Sequence, residues 1–266
     1  MKYSVLSWSQ PVASAMLSKI SPDEHLKGKL STRPAPRGSH SATLFDNKVV
    51  VFGGYGGEAW GRHDFNDLWV LDLETWSWEQ ILPEGEPPEV RCGHSASRMK
   101  DQIFVVGGWN AHTQFDDLHI LGTNDWTWSK SETSLGIPRA MHCAVSVNAV
   151  PEWKMFVYGG HGADLEYATR NLSVYMKSLM VLDAGDMEWK TMEAKGKLPR
   201  GRSDTEMVYD PIYTRLIVFG GWANRWFNDV CVIPVAQTVG PPYAISKVTP
   251  SRGQIRGDTV LSIHGM

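Results

Sequence analysis

The chain has 266 residues, 12 of them Trp, and a formal net charge of −3. That length suits one large all-β domain or two smaller ones, and the charge offers no basic surface of the kind that binds nucleic acid. No segment reaches membrane-spanning length and the opening residues lack the apolar core of a signal peptide, while three scattered cysteines (Cys92, Cys143, Cys231) predict reduced thiols in a cytoplasmic setting rather than a disulfide frame.

In chain order, "KYSVLSWSQP" (Lys2–Pro11) is a short apolar alternation that predicts a strand. "SPDEHLKGKLSTRPAP" (Ser21–Pro36) reads as a polar surface loop. A longer pattern then begins. "HSATLF" (His40–Phe45) predicts a first strand, Asp46-Asn47 a turn, and "KVVVFGG" a second strand whose valines suit burial on both faces. Gly53 and Gly54 end it, where positive φ or a close neighbouring chain excludes a Cβ. "NDLWVLDLET" predicts a third strand. Its period of two puts Leu68 and Val70 on one face and Trp69, Leu71 and Leu73 on the other. "WSWEQI" predicts the fourth, at the rim.

The pattern recurs. "QIFVVGGWNAHTQFDDLHILGTNDWTW" (Gln102–Trp128) repeats it with a shorter loop, and "KMFVYGGHGADLEYATRNLSVYMKSLMVLDAGDMEW" (Lys154–Trp189) with a longer one. "RLIVFGGWANRWFNDVCVIPV" (Arg215–Val235) repeats the first half without a closing Trp. The Gly pairs at 53/54, 107/108, 159/160 and 220/221 stand roughly fifty to sixty residues apart, the period of the longer propeller repeats. A lone four-stranded sheet of this kind cannot bury both faces; arranging several radially does so and leaves only short edges. Trp78, Trp128 and Trp189 are then expected as plates filling the wedge between sheets. A second signature precedes each repeat, with Arg37, Arg91, Arg139 and Arg200 read as equivalent. His40, His94 and His142 follow them, and Ser203 takes that place in the fourth. Each His belongs to a different repeat and has no carboxylate or cysteine pair at ligand spacing, so a hydrogen-bonding role is expected rather than a metal site.

Gly-Gly, then Asp-Leu or Asp-Val, then Trp, with Arg-x-x-His ahead, resembles the Kelch repeat from about Pro36 to Val235. The resemblance implies an all-β, Kelch-type β-propeller. Repeat three departs from the pattern at Lys177–Leu179, and repeat four lacks the His and the Trp. Lys2–Trp8 is expected to supply the missing rim strand beside Phe227–Val235 and so to close the last blade. Kelch rings usually hold more blades than four, and "PPYAISKVTPSRGQIRGDTVLSIHG" (Pro241–Gly265) is similar to the opening of an IPT/TIG immunoglobulin-like domain. The expected domains are therefore an N-terminal closing strand and loop (1–36), the propeller repeats (37–238) and an incomplete immunoglobulin-like sandwich (239–266), all at the start of a longer protein.

The order of these modules resembles the N-terminal tail of axonemal outer-arm dynein heavy chains. It implies a non-catalytic assembly or docking scaffold in the cytoplasm or the ciliary or flagellar axoneme. Its implied partners are dynein heavy, intermediate or light chains or docking components, with no nucleic acid, membrane or cofactor. A free-standing cytosolic Kelch adaptor and a ubiquitin-ligase substrate-recognition module are the alternatives. Metal-dependent Kelch enzymes are a weaker one, since no ligand series, nucleophile triad or phosphate loop stands out. The post-glycine loops vary most between repeats and are rich in the residue types that dominate interface energetics. The candidate protein-binding residues there are Trp60, Arg62, Trp109, Asn110, Glu166, Tyr167, Arg170, Trp222, Arg225 and Trp226. Trp109 and Trp222 serve equally well as structural covers of their loop bases. No catalytic or metal residue is expected.

Overall fold

The computed structural model describes residues 14–15, 33–57, 61–162, 174–193, 196, 199–240, 245–249 and 262–265. The chain divides into two compact units, 1–141 and 142–266. The first unit holds repeats one and two, and the second holds repeats three and four.

In the first unit, repeat one forms antiparallel strands Ser41–Phe45, Lys48–Phe52, Leu68–Asp72 and Ser77–Ile81, in the order expected from the sequence. Phe52, Leu68, Val50 and Val70 line one face and are almost fully buried. They meet Ile103, Val105, Leu121 and Trp128 of repeat two in one core cluster. Repeat two forms strands Ser95–Met99, Gln102–Trp109, Gln114–Gly122 and Thr127–Ser134. Trp128 is 3% exposed and packs against Phe52 at a ring distance of 5.1 Å, so it fills the space between the two sheets. Trp78 occupies the same register position opposite Leu71 as Trp128 does opposite Leu121. It is only half-buried, because its face is the one turned away from repeat two.

A feature of this unit that the sequence did not suggest is a fifth, parallel strand outside each rim. Glu84–Gly85 pairs with Thr127–Trp128. Ser14–Ala15 pairs with Ser77–Trp78. The N-terminal region thus contributes a strand to the first sheet. Lys2–Trp8, expected beside the fourth repeat, lies outside the described residues.

In the second unit, repeat three forms strands Cys143–Val147, Lys154–Tyr158, Leu179–Asp183 and Glu188–Thr191. Trp189 on the last of them is half-buried. Repeat four forms three strands among the described residues, Glu206–Asp210, Arg215–Phe219 and Val230–Pro234. Where a fourth would follow, the chain turns into a short helix, Ala236–Val239. Val235 and Val239 are buried there in a core with Phe156, Tyr158, Val181, Leu216 and Val218. One face of the fourth sheet stays open, with Val208, Phe219, Val230 and Val232 each about half exposed or more. Ile245–Thr249 and Ser262–Gly265 pair antiparallel; two strands alone do not identify an immunoglobulin-like sandwich.

The Gly pairs end the second strand in repeats one, three and four, as expected, and form a bulge in repeat two. In repeat two the strand runs through Gly107 and Gly108 to Trp109, with a register shift between Val106 and Gly108. Gly108 has φ +95° and a Cβ there would lie 2.8 Å from the His94 Cβ, so both reasons for glycine hold at once.

Candidate functional site

Two of the four signature arginines, Arg37 and Arg91, are structural staples. The Arg91 guanidinium donates to Gly107 O (2.9 Å) and grips both carboxylate oxygens of Asp117 at 2.7 and 3.1 Å. It also stacks 4.2 Å from the Phe115 ring centre. Arg37 repeats this with Gly53 O, Asp67 and Phe65. The arginine backbone joins neighbouring repeats: Gly54 N–H donates to Arg91 O and Gly108 N–H to Arg139 O. Burial would raise the Asp117 carboxyl. Hydrogen bonds from His119 and Arg91, with the Arg91 charge, outweigh it and hold Asp117 well below the usual carboxylate range.

The fourth repeat shifts the predicted register. Arg202, not Arg200, makes the staple there, to Gly220 O, Asp229 and the Phe227 ring. Thr205, not Ser203, stands at the His position, because a Cβ on Gly221 would approach Thr205 just as one on Gly108 approaches His94. "PRGRSD" holds two arginines, and only the contacts distinguish them. Ser178, next to Leu179, falls where Asp67 and Asp117 stand beside Leu68 and Leu118.

The histidines follow the expected bonding role where their contacts are described. His94 is buried, its Nε2 lies 2.9 Å from Ser41 Oγ of the preceding repeat, and its ring meets Phe52 edge-on. Burial first, then the Arg91 charge, lowers its pKa to about 3, so it is neutral at physiological pH.

Each post-glycine loop continues strands two and three as a narrow ribbon. Tyr55–Gly56 pairs with His63–Asp64, Trp109 with Gln114, His161–Gly162 with Val174–Tyr175, and Trp222 with Trp226. The candidate residues divide by this geometry. Trp109 and Trp222 bridge by backbone to Cys92 and Ser203, anchoring their loop bases. Asn110 is 9% exposed, and its side-chain oxygen accepts from the N–H groups of His112 and Thr113 (2.9 and 2.8 Å); it shapes the turn. Arg62, Arg225 and Trp226 face solvent, Trp226 at 74% exposure. Trp60, Glu166, Tyr167 and Arg170 lie outside the described residues.

In the second unit, the fourth loop and the segment ahead of Arg202 enclose an open recess of about 590 Å³. Arg200, Arg202, Arg225, Trp226, Asn228 and Asp229 line it, and sequence reading had singled out only Arg225 and Trp226 of these for contact. The sequence motif equates Arg200 with Arg37 and Arg91, which leaves it out of the contact set.

Burial, then Asp64, pushes the Cys92 thiol up to about 12, and burial pushes Cys143 to about 12, the opposite of an activated nucleophile. Among the described residues, no group of three or more His, Cys, Asp or Glu is placed to hold a metal ion, and no helix is long and apolar enough to cross a membrane.

Comparison with known proteins agrees with the geometry. Residues 21–160 match the KLHDC2/KLHL20/DRC7 Kelch-repeats domain. The chain is 32% identical over 248 residues to the dynein alpha chain, flagellar outer arm, of Chlamydomonas reinhardtii, covering 88% of this chain and 5% of that one. It is 28% identical over 218 residues to Kelch domain-containing protein 3 of Homo sapiens (77% of this chain, 53% of that one). It is 29% identical over 203 residues to acyl-CoA-binding domain-containing protein 4 of Arabidopsis thaliana (74% and 28%). The chain thus spans about half or less of the length of these relatives. The Kelch repeats and these likenesses support a protein-interaction role. The repeated Gly-Gly pairs, the Arg–Asp staples and the family match together show that the chain belongs to the Kelch-repeat family.

Proposed function

We propose that this chain is a non-catalytic interaction scaffold: the assembly and docking part of the N-terminal tail of an axonemal outer-arm dynein heavy chain. The observation that carries the reading is the 32% identity to the flagellar outer-arm dynein alpha chain over 248 residues, 88% of this chain. Within it, the post-glycine loops make the contacts, because the strands and staples are shared between repeats while the loops differ. Loop three is the longest and carries Glu166, Tyr167 and Arg170.

The test is extraction of axonemes and sedimentation of the tagged protein. It is expected to travel with outer-arm dynein heavy chains, and replacing Tyr167 and Arg170 with Ala should weaken that association by about 2 kcal/mol or more with an unchanged thermal melt. Sedimentation as a small free species overturns the dynein reading. The second reading is a free-standing Kelch adaptor, favoured by the likeness to Kelch domain-containing protein 3 over 53% of that protein's length; co-purification with ubiquitin-ligase subunits instead of dynein would select it.

A further inference from the structure

We infer that the recess of the fourth repeat is a docking site for an acidic polypeptide segment; this deepens the scaffold reading and rests on it. The staple contacts align the repeats residue by residue. Arg37 Nε donates to Ala35 O, Arg91 Nε to Glu89 O and Arg202 Nε to Arg200 O, so Ala35, Glu89 and Arg200 are equivalent. The stacked rings Phe65, Phe115 and Phe227 align the residues just before them. His63 and Asp64 in repeat one and Thr113 and Gln114 in repeat two correspond to Arg225 and Trp226 in repeat four. The framework therefore forms without arginine or tryptophan at these three places. Repeat four alone of the three has two arginines and a tryptophan there.

The charges in the recess do not cancel. Asp229 is the one carboxylate in its lining, and both its oxygens are held by Arg202 at 2.6 and 3.0 Å. The Arg202 fork draws the Asp229 carboxyl below its ordinary range, so that pair is neutral as a unit. Arg200 and Arg225 remain exposed and, among the described residues, neither is in an ion pair. Arg225 lies 5.2 Å from the Phe227 ring centre, which orients its guanidinium, and Trp226 rests on Trp222 at 4.8 Å. The oriented Arg225 guanidinium and the exposed Arg200, beside a largely exposed indole, offer bidentate carboxylate recognition and an apolar platform within one recess. The chain as a whole carries −3. A locally positive recess on a negative molecule selects a short acidic stretch with an apolar or aromatic residue, and repels extended polyanions such as nucleic acids.

Fluorescence anisotropy of the whole chain with a labelled short Asp/Glu peptide containing one Phe tests this. Saturable binding that weakens with added salt is expected. Arg200→Ala with Arg225→Ala, and separately Trp226→Ala, should each weaken it about tenfold or more. Arg225→Lys should lose less, and all variants should melt as the parent does. Absence of saturable binding, equal binding by the double Arg variant, or equal binding of the Lys-substituted peptide or of single-stranded DNA overturns the inference. If the peptide does not bind while the protein still sediments with outer-arm dynein, the recess assignment fails and the scaffold reading stands. If neither is seen, both fail.

Discussion

Arg91 shows what one residue of a Kelch repeat does. Its side chain is 0% exposed, yet its charge is matched by Asp117 and its other donors by the carbonyls of Glu89 and Gly107. A buried ion pair of this kind adds little net stability over apolar packing, but breaking it strands a charge. Asp117→Ala is therefore expected to cost about 3–5 kcal/mol by urea denaturation, and a cost under about 1 kcal/mol would show that water reaches Arg91. The sequence shows the arginine and the aspartate as recurring letters; their pairing, 26 residues apart, is visible only in the folded chain. The same limit hid Arg202 behind Arg200. Two arginines two positions apart both fit the motif, and only the carbonyl of Gly220 and the ring of Phe227 choose between them.

Strands and loops are the elements that the sequence described best. The four strands of repeat one fall within a few residues of their expected limits, since alternation, the Asp46-Asn47 turn and the Gly pair all point to one register. The wedge tryptophans were less uniform. Trp128 joins the core between repeats one and two, and Trp128→Ala is expected to cost about 3–5 kcal/mol, measured by equilibrium unfolding. A small effect would mean that the sheets close over the gap. Trp78, at the same position in its own sheet, is half-buried because the face it covers does not point toward repeat two. Identical sequence contexts thus acquire different burial from their neighbours. The short parallel strands at Ser14–Ala15 and Glu84–Gly85 carry no periodic signal, because two residues are too few to show one.

At the scale of the whole molecule, the groups whose titration folding shifts act together on stability. His94 titrates at about 3 when folded against an ordinary 6.5. Between those values the unfolded chain binds a proton that the folded chain does not, so stability is full above 6.5 and falls as pH drops toward 3. Asp117 and Asp229 are held below their ordinary 3.8. Their contribution is present above that value and is lost below it. Thermal melts should therefore fall on acidification in two stages. His94→Gln should reduce the first by at most about 1.4 kcal/mol per pH unit, leaving the share of His40 and His161, which burial also lowers, and leave the second. An unchanged slope in the variant would show that His94 is protonated in the folded state.

The repeat period, the all-β class and the turn glycines were determined by sequence alone, because hydrophobic alternation and positive-φ positions are local properties that each repeat states again. Which arginine is clamped, which tryptophan is buried, and which loop keeps uncompensated charge were decided by tertiary structure. Those outcomes depend on atoms contributed from distant positions, such as Asp117 to Arg91, Phe52 to Trp128 and Asp229 to Arg202. No window of sequence contains both partners.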